Sequence, residues 1–196
     1  MTPQDDIKRI QVILRVVADG IWGTKSQAAM DALLNAVNMP APPPQSPLAR
    51  VDERSEGNIA TLHPRVQPLA RALVVNAAAQ GITIKILSGT RTYAEQDALF
   101  AKGGVTKARG GFSNHNFGIA FDVGAFNGTR YVPESPIYKA VAVLAKQLGF
   151  EWGGDWKSFV DEPHYQLRPP WARGMSERDM LAELRSRRAS GKDAFA

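Results

Sequence analysis

The chain has 196 residues, a formal net charge of +5 and a pI near 9.6. It contains no cysteine, which excludes disulfides, thiolate metal sites and a cysteine nucleophile. With three histidines in all, any metal site must mix imidazole with carboxylate.

The basic excess fits an anionic partner such as nucleic acid, a cell-wall polymer or a lipid surface, or simply a solvated surface. No basic block has the aromatic interleaving of a single-strand binder, so no nucleic acid is expected. The N-terminus, MTPQDDIKRI, lacks an apolar core, so no secretory signal peptide is expected and the product should begin in the cytoplasm. No window is apolar enough for a transmembrane segment.

Residues 4–17 place Ile7, Ile10, Leu14 and Val17 on one helical stripe, and Asp19-Gly20 marks a turn. Thr24 to Gln27 reads as a capping box, opening a second helix with Ala29, Ala32, Leu33 and Ala36 on one face. Residues 39–47 form a stiff proline-rich linker. The expected organisation is a helical module (1–38), that linker, a main domain (48–175) and a charged helical tail (176–196). The module should dock loosely or move on its linker.

In the main domain, Pro64 to Gln80 reads as a helix with Val66, Leu69, Leu73 and Ala77 in register. Ile82 to Ser88 alternates as a strand. Thr92 to Glu95 is a capping box opening a helix through Phe100. A glycine-rich loop leads to SNHNFGIAFDV, where Phe117, Ile119, Phe121 and Val123 alternate. A helix runs from Ser135-Pro136 to Gly149, and His164 to Leu167 reads as a short strand. Ser176 to Arg188 is a charged helix with Met180, Leu181 and Leu184 on one side.

Two stretches carry chemistry. His115 and Asp122 are seven positions apart, roughly 23 Å if fully extended. Gly118 lies between them and lets the backbone turn, so imidazole and carboxylate can converge. Ala120 and Gly118 share the face of Asp122 and leave room above it. A buried carboxylate needs a partner, which is either an arginine or a metal. DEPHYQL supplies a second histidine, His164. Zinc in hydrolases takes three ligands of the His and carboxylate type, and His115, Asp122 and His164 make such a set. Asp161, or less well Glu162, would then be the base. A structural role for both histidines stays open on spacing alone. His63, before a helix, reads as structural, and Asp155 as a loop residue.

S-x-H-x-x-G-x-A-x-D, present as Ser113, His115, Gly118, Ala120 and Asp122, resembles the zinc motif of the D-alanyl-D-alanine carboxypeptidase and L-alanyl-D-glutamate endopeptidase family. WGGDWKSFVDEPHYQL resembles its closing motif, and SGTRTYAEQ its arginine motif, over roughly Leu62 to Leu167. The resemblance implies Zn2+ on His115, Asp122 and His164, with Asp161 as general base. It implies Arg91 for the oxyanion or a substrate carboxylate, and Ser113 and Gln96 as supporting groups. Trp152 and Trp156 would wall the cleft or pack in the core. IQVILRVVADGIWGTKSQAAMDALL resembles a peptidoglycan-binding helical module, with Gln11, Asp19, Gly20, Ile21, Trp22, Gly23, Ser26 and Ala29 in or near the motif places.

The expected fold is α+β, an antiparallel sheet with flanking helices after a small helical module. The expected function is a monomeric peptidoglycan endopeptidase of phage endolysin type, cutting L-Ala-D-Glu and reaching the wall from the host cytoplasm at lysis. The alternatives are a D-Ala-D-Ala carboxypeptidase or dipeptidase, and a non-catalytic wall-binding protein.

Overall fold

The computed structural model describes residues 3–13, 18–29, 50–104 and 106–196. Helix α1 (Pro3–Ile13) comes first, and residues 24–29 are helical after the turn at Asp19 and Gly20. Leu14, Val17, Ala32, Leu33, Ala36 and the linker 39–47 lie outside the described residues.

Helix α2 (Glu53–Ala60) escaped the sequence reading. Its only buried apolar residue is Ile59, too little for a periodic stripe, and Gly57 lies inside it. Its one local signal is the Asp52 cap, which accepts a hydrogen bond from the Ser55 amide at 3.2 Å. Helix α3 (Gln67–Ala79) starts later than expected, because residues 64–66 form a turn and Pro68 occupies the first helical turn.

Strand β1 (Thr83–Ser88) turns Ile84 and Ile86 into the core. Helix α4 (Tyr93–Lys102) has the expected capping box: Thr92 Oγ1 accepts from the Glu95 amide at 3.1 Å, and the Thr92 amide donates to Glu95 Oε2 at 2.7 Å. A 3-10 turn, Asn114–Phe117, then precedes β2 (Ala120–Asn127). The alternating stretch is therefore not strand from Phe117 onward. Gly118, at φ +69°, takes the left-handed conformation that ends the turn and starts the strand.

A two-residue turn, Gly128-Thr129 with Gly128 at φ +60°, leads back into β3 (Arg130–Val132), a hairpin missed in the sequence. Helix α5 (Ile137–Gln147), β4 (Glu151–Trp152), a 3-10 turn Gly153–Asp155, β5 (His164–Gln166) and α6 (Glu177–Ala189) complete the chain.

The sheet runs β1-β2-β5-β4, with β3 also on β2, and every pair is antiparallel. Strand β2 is central: β1 lines one edge, while β5 takes the first half of the other edge and β3 the second. Helices α2 and α3 cover β1, and α5 packs on α3 and β4. This is the expected α+β arrangement.

Helix α1 packs on α5 rather than standing apart. Ile10 is fully buried in the main core, and Arg9 Nη2 donates to Gly81 O at 3.0 Å. Burying one such isoleucine is worth about 1.5–3 kcal/mol. Helix α6 docks through Met180, Leu181 and Leu184, all buried, as its apolar spacing predicted.

Candidate metal centre

The sheet brings the two chemical stretches together. Asp122 on β2 is the direct cross-strand partner of His164 on β5. The Gly118 turn folds His115 back over the start of β2. One donor atom from each of His115, Asp122 and His164 lies within 4.8 Å of the other two. His115 Nε2 is 3.2 Å from Asp122 Oδ1 and 3.2 Å from His164 Nδ1. His164 Nδ1 is 3.4 Å from the same carboxylate oxygen.

The far side of each ring fixes its tautomer. His115 Nδ1 lies 2.8 Å from the Gly89 carbonyl oxygen, which can only accept, so Nδ1 carries the proton. His164 Nε2 lies 3.1 Å from Gln166 Oε1 and donates to it. The inward nitrogens, His115 Nε2 and His164 Nδ1, therefore present lone pairs to one point beside a carboxylate oxygen. Facing lone pairs repel unless a cation lies between them. This donor set fits a divalent metal held by two imidazoles and a carboxylate.

The same point calls for positive charge. Burial pushes the Asp122 carboxyl up, but His115 and His164, when protonated on their inward nitrogens, outweigh it by charge and hydrogen bonding and hold it well below the usual carboxylate range. Burial pulls His164 down, yet the hydrogen bond and charge of Asp122 leave it raised overall. Asp161 is raised, first by burial and then by the negative charge of Asp122, while His164, His115 and Arg91 act against that. Asp161 thus lies within electrostatic reach of all three candidate ligands.

The turn that carries Asp161 is tightly built. The Asp161 amide donates to Gly153 O at 3.1 Å, and the His164 amide to Asp161 O at 3.1 Å. A Cβ on Gly153 would sit 2.5 Å from Asp161 O and 3.1 Å from His164 Cβ. Only glycine fits where these backbones meet. Asp161 and His164 are therefore held by one turn.

Arg91 reaches the site from the segment before α4. Its Nη2 lies 3.2 Å from Asp122 Oδ2, and its Nη1 donates to Gln96 Oε1 at 3.1 Å. Its Nε is buried without a partner. Burial lowers its pKa, opposed by the charges of Asp122, Asp161 and Glu95. Gln96 is fully buried and also donates to Thr106 Oγ1 at 3.0 Å and Ala108 O at 2.9 Å, so it ties Arg91 to the glycine-rich loop.

Ser113 stands at the N-terminus of the His115 turn, and its carbonyl accepts from the Asn116 amide at 3.0 Å. The two tryptophans divide. Trp152 is buried in the core and its Nε1 donates to Glu162 O at 2.7 Å, bracing the Asp161 turn. Trp156 lies with its ring 4.9 Å from the His164 ring. Glu162 meets Trp152 through its backbone. Asp155 pairs with Lys146 at 2.7 Å, and His63 pairs with Asp193 at 2.9 Å against the Phe195 ring.

Sequence reasoning missed Asn116 and Gln166. Asn116 Nδ2 donates to Arg91 O at 2.9 Å, and the Arg91 amide donates to His115 O at 3.1 Å, so Arg91 and His115 are stitched together. The nearness of both residues to motif histidines was the only local hint.

In the N-terminal segment, Gln11 is the hub. Its Nε2 donates to Asp19 Oδ1 at 2.8 Å, Ile21 O at 2.8 Å and Ser26 Oγ at 2.9 Å, and its Oε1 accepts from the Gly20 amide at 2.9 Å. Trp22 packs on the core, and Gly23 O accepts from the Gln27 amide at 3.0 Å. Asp19 and Gly20 therefore shape the turn itself. Among the described residues, no helix is long and apolar enough to cross a membrane.

The family profile described as D-alanyl-D-alanine carboxypeptidase matches residues 106–167. The peptidoglycan L-alanyl-D-glutamate endopeptidase CwlK of Bacillus subtilis (strain 168) is 40% identical over 126 residues, covering 55% of this chain and 74% of that protein. The L-alanyl-D-glutamate peptidase of Listeria phage A118 is 35% identical over 117 residues, 58% of this chain but 41% of that longer protein. The L-Ala D-Glu endopeptidase ChiX of Serratia marcescens aligns in structure with a TM-score of 0.46 at 32% identity, over 68% of this chain and 94% of that one. The extent of the match to the Bacillus protein is decisive, and the chain belongs to the peptidase family that joins D-alanyl-D-alanine carboxypeptidases with L-alanyl-D-glutamate endopeptidases.

Proposed function

We propose that the chain is a zinc peptidase that cuts the L-alanyl-D-glutamate bond in the peptide stems of bacterial peptidoglycan. One observation carries the chemistry: a donor atom from each of His115, Asp122 and His164 lies within 4.8 Å of the other two. The bond assignment rests on the two curated relatives, both named for cleavage at L-alanyl-D-glutamate.

His115, Asp122 and His164 would hold the zinc. Bound there, zinc would polarise the scissile carbonyl and make a water acidic. Asp161 is the base: its carboxylate takes the proton from the attacking water and then passes it to the leaving amine. Arg91 aims a guanidinium into the site with its Nε free, and stabilises the negative charge that develops on the carbonyl oxygen. Gln96 and Asn116 hold Arg91 in place. Ser113 supports the turn of His115, and Trp156 walls the side of the site next to His164.

The rest of the chain serves delivery in this reading. Residues 1–38 act as a peptidoglycan-binding module, 39–47 as the linker, 48–175 as the catalytic domain and 176–196 as the tail. Asp19, Gly20, Trp22 and Gly23 shape the wall-facing turn. Kinship with a phage peptidase supports an endolysin, made in the host cytoplasm and reaching the wall when the membrane is breached. The protein acts as a monomer without nucleic acid.

Digestion of purified peptidoglycan, followed by mass spectrometry, tests the reading. New N-terminal D-glutamate is expected. Free D-alanine instead would assign a carboxypeptidase, and an undigested wall with the protein bound to it would assign a non-catalytic binder.

A further inference from the structure

Gln166 lies two residues after His164 on β5 and is 1% exposed. Its Nε2 is 2.7 Å from Glu151 Oε2 and 3.4 Å from Glu177 Oε2. Both carboxylates are gripped by Arg168. Arg168 Nε lies 2.5 Å from Glu151 Oε1, and its Nη2 lies 2.9 Å from Glu177 Oε2.

Carboxylates paired with a guanidinium can only accept hydrogen bonds. The amide of Gln166 must therefore turn its NH2 toward them, which leaves Oε1 facing the other way. There Oε1 meets His164 Nε2 at 3.1 Å and Asn114 Nδ2 at 2.5 Å. Asn114 Nδ2 also donates to Glu177 Oε1. An acceptor in that position requires a proton on His164 Nε2, which frees Nδ1 to face Asp122 and His115. The opposite tautomer would set two lone pairs against each other at Gln166. It would also put a proton where the cation belongs.

We propose that Gln166 is a positioning residue that locks His164 into the Nε2–H tautomer, and that Glu177, in the first turn of the C-terminal helix α6, helps to orient it. This rests on His164 being a metal ligand. The tail helix thereby gains a part in the chemistry, since through Glu177 and Arg168 it reaches the metal centre from outside the catalytic motifs. Partners of this kind behind metal-bound histidines typically carry 10- to 100-fold in affinity, and about that loss is expected here.

The test uses the full-length chain, with Zn2+ titrated against a chromogenic chelator and 15N NMR reading the His164 ring. The parent is expected to bind one zinc through His164 Nδ1. Gln166→Met, equal in length but only a weak acceptor, should weaken zinc binding about 10- to 100-fold and mix the two tautomers in the metal-free protein. The double variant Gln166→Glu with Glu151→Gln reverses the polarity of that pair, keeps an acceptor toward His164, and should restore most of the affinity. Glu177→Gln should weaken binding by roughly 3- to 10-fold with the fold intact. Gln166→Met that binds zinc like the parent, with an unchanged Nε2–H signal, would overturn the proposal while leaving the metal site standing. If Gln166→Met does not fold, a double variant that binds zinc about 10-fold or more weaker than the parent, or Glu177→Gln with parental affinity, overturns it. A parent that binds no zinc overturns the metal reading and the proposal together.

Discussion

His115 Nε2 and His164 Nδ1 stand 3.2 Å apart, each ring donating its only proton outward, to Gly89 O and to Gln166 Oε1. Two nitrogen lone pairs meet there beside Asp122. The expected outcome is one zinc per chain by elemental analysis, lost in His115→Ala. Lytic activity on permeabilised cells should vanish with a chelator and return with zinc. Zinc at 100 times its dissociation constant should raise stability by about 2.7 kcal/mol, seen as a higher Tm. A metal-free parent that still lyses cells would contradict this directly.

Asp161 should separate catalysis from metal binding. It lies within electrostatic reach of the ligands, yet the convergent donors are His115, Asp122 and His164. Asp161→Asn is expected to keep a full zinc complement and lose about 10²- to 10⁴-fold in kcat, the usual weight of a general base. Zinc content and rate measured on one preparation check both halves. Parental kcat would remove Asp161 from the mechanism.

Arg91 is braced at both terminal nitrogens, by Asp122 Oδ2 at 3.2 Å and Gln96 Oε1 at 3.1 Å. A lysine has one point charge and cannot span the two. Arg91→Lys should therefore cost much of what Arg91→Ala costs, about 10²- to 10³-fold in kcat for a lost oxyanion donor. Steady-state kinetics on a synthetic stem peptide decide it. A change confined to KM would instead make Arg91 a substrate-carboxylate binder.

The convergent donors were legible because the chain has no cysteine and three histidines, and because the motifs around His115, Asp122 and His164 carry the family resemblance. Their convergence was less so. It depends on Gly118 turning the chain, which the glycine hinted at, and on Asp122 facing His164 across β2 and β5, a register between strands far apart in sequence. The support around the site was nearly invisible. Gln166 draws its partners from β4, from Arg168 and from α6, and no local pattern announces such a meeting. Helix α2 was missed for a related reason. Its Ser55 and Asn58 face β1, accepting from the Ile86 amide at 2.9 Å and donating to Ile86 O at 2.9 Å, where an apolar stripe would have been readable.

Gly153 and Gly57 make a matched pair. A methyl group at Gly153 runs into Asp161 O at 2.5 Å, backbone that cannot step aside without moving Asp161 and His164. At Gly57, inside α2, nothing lies within 4 Å. Gly153→Ala should cut activity by about 10²-fold or more, as a base misplaced by an ångström does. Gly57→Ala should leave activity alone and stabilise the protein by about 0.5–1 kcal/mol. Urea denaturation and lysis rates on the two variants test this, and an active Gly153→Ala would show that the turn has slack.

Glu56 supplies the pH test away from the metal. Arg71 Nε and Nη2 both reach Glu56 Oε2, at 3.1 Å and 2.9 Å, and the Val51 amide donates to Oε1 at 3.0 Å. The hydrogen bond from Arg71 is the main cause that holds the Glu56 carboxyl below its ordinary value. A carboxyl lowered by folding stabilises the native state above its unfolded pKa. That contribution is lost as pH falls through the lower folded value. Glu56→Gln should therefore cost about 1.5–3 kcal/mol near neutral pH, the weight of a hydrogen bond to a charged group. The gap between parent and variant should close as the solution is taken below the ordinary glutamate range. Urea midpoints across a pH series measure it, and a gap that stays constant down to strong acid would show that the Glu56 charge contributes nothing to the fold.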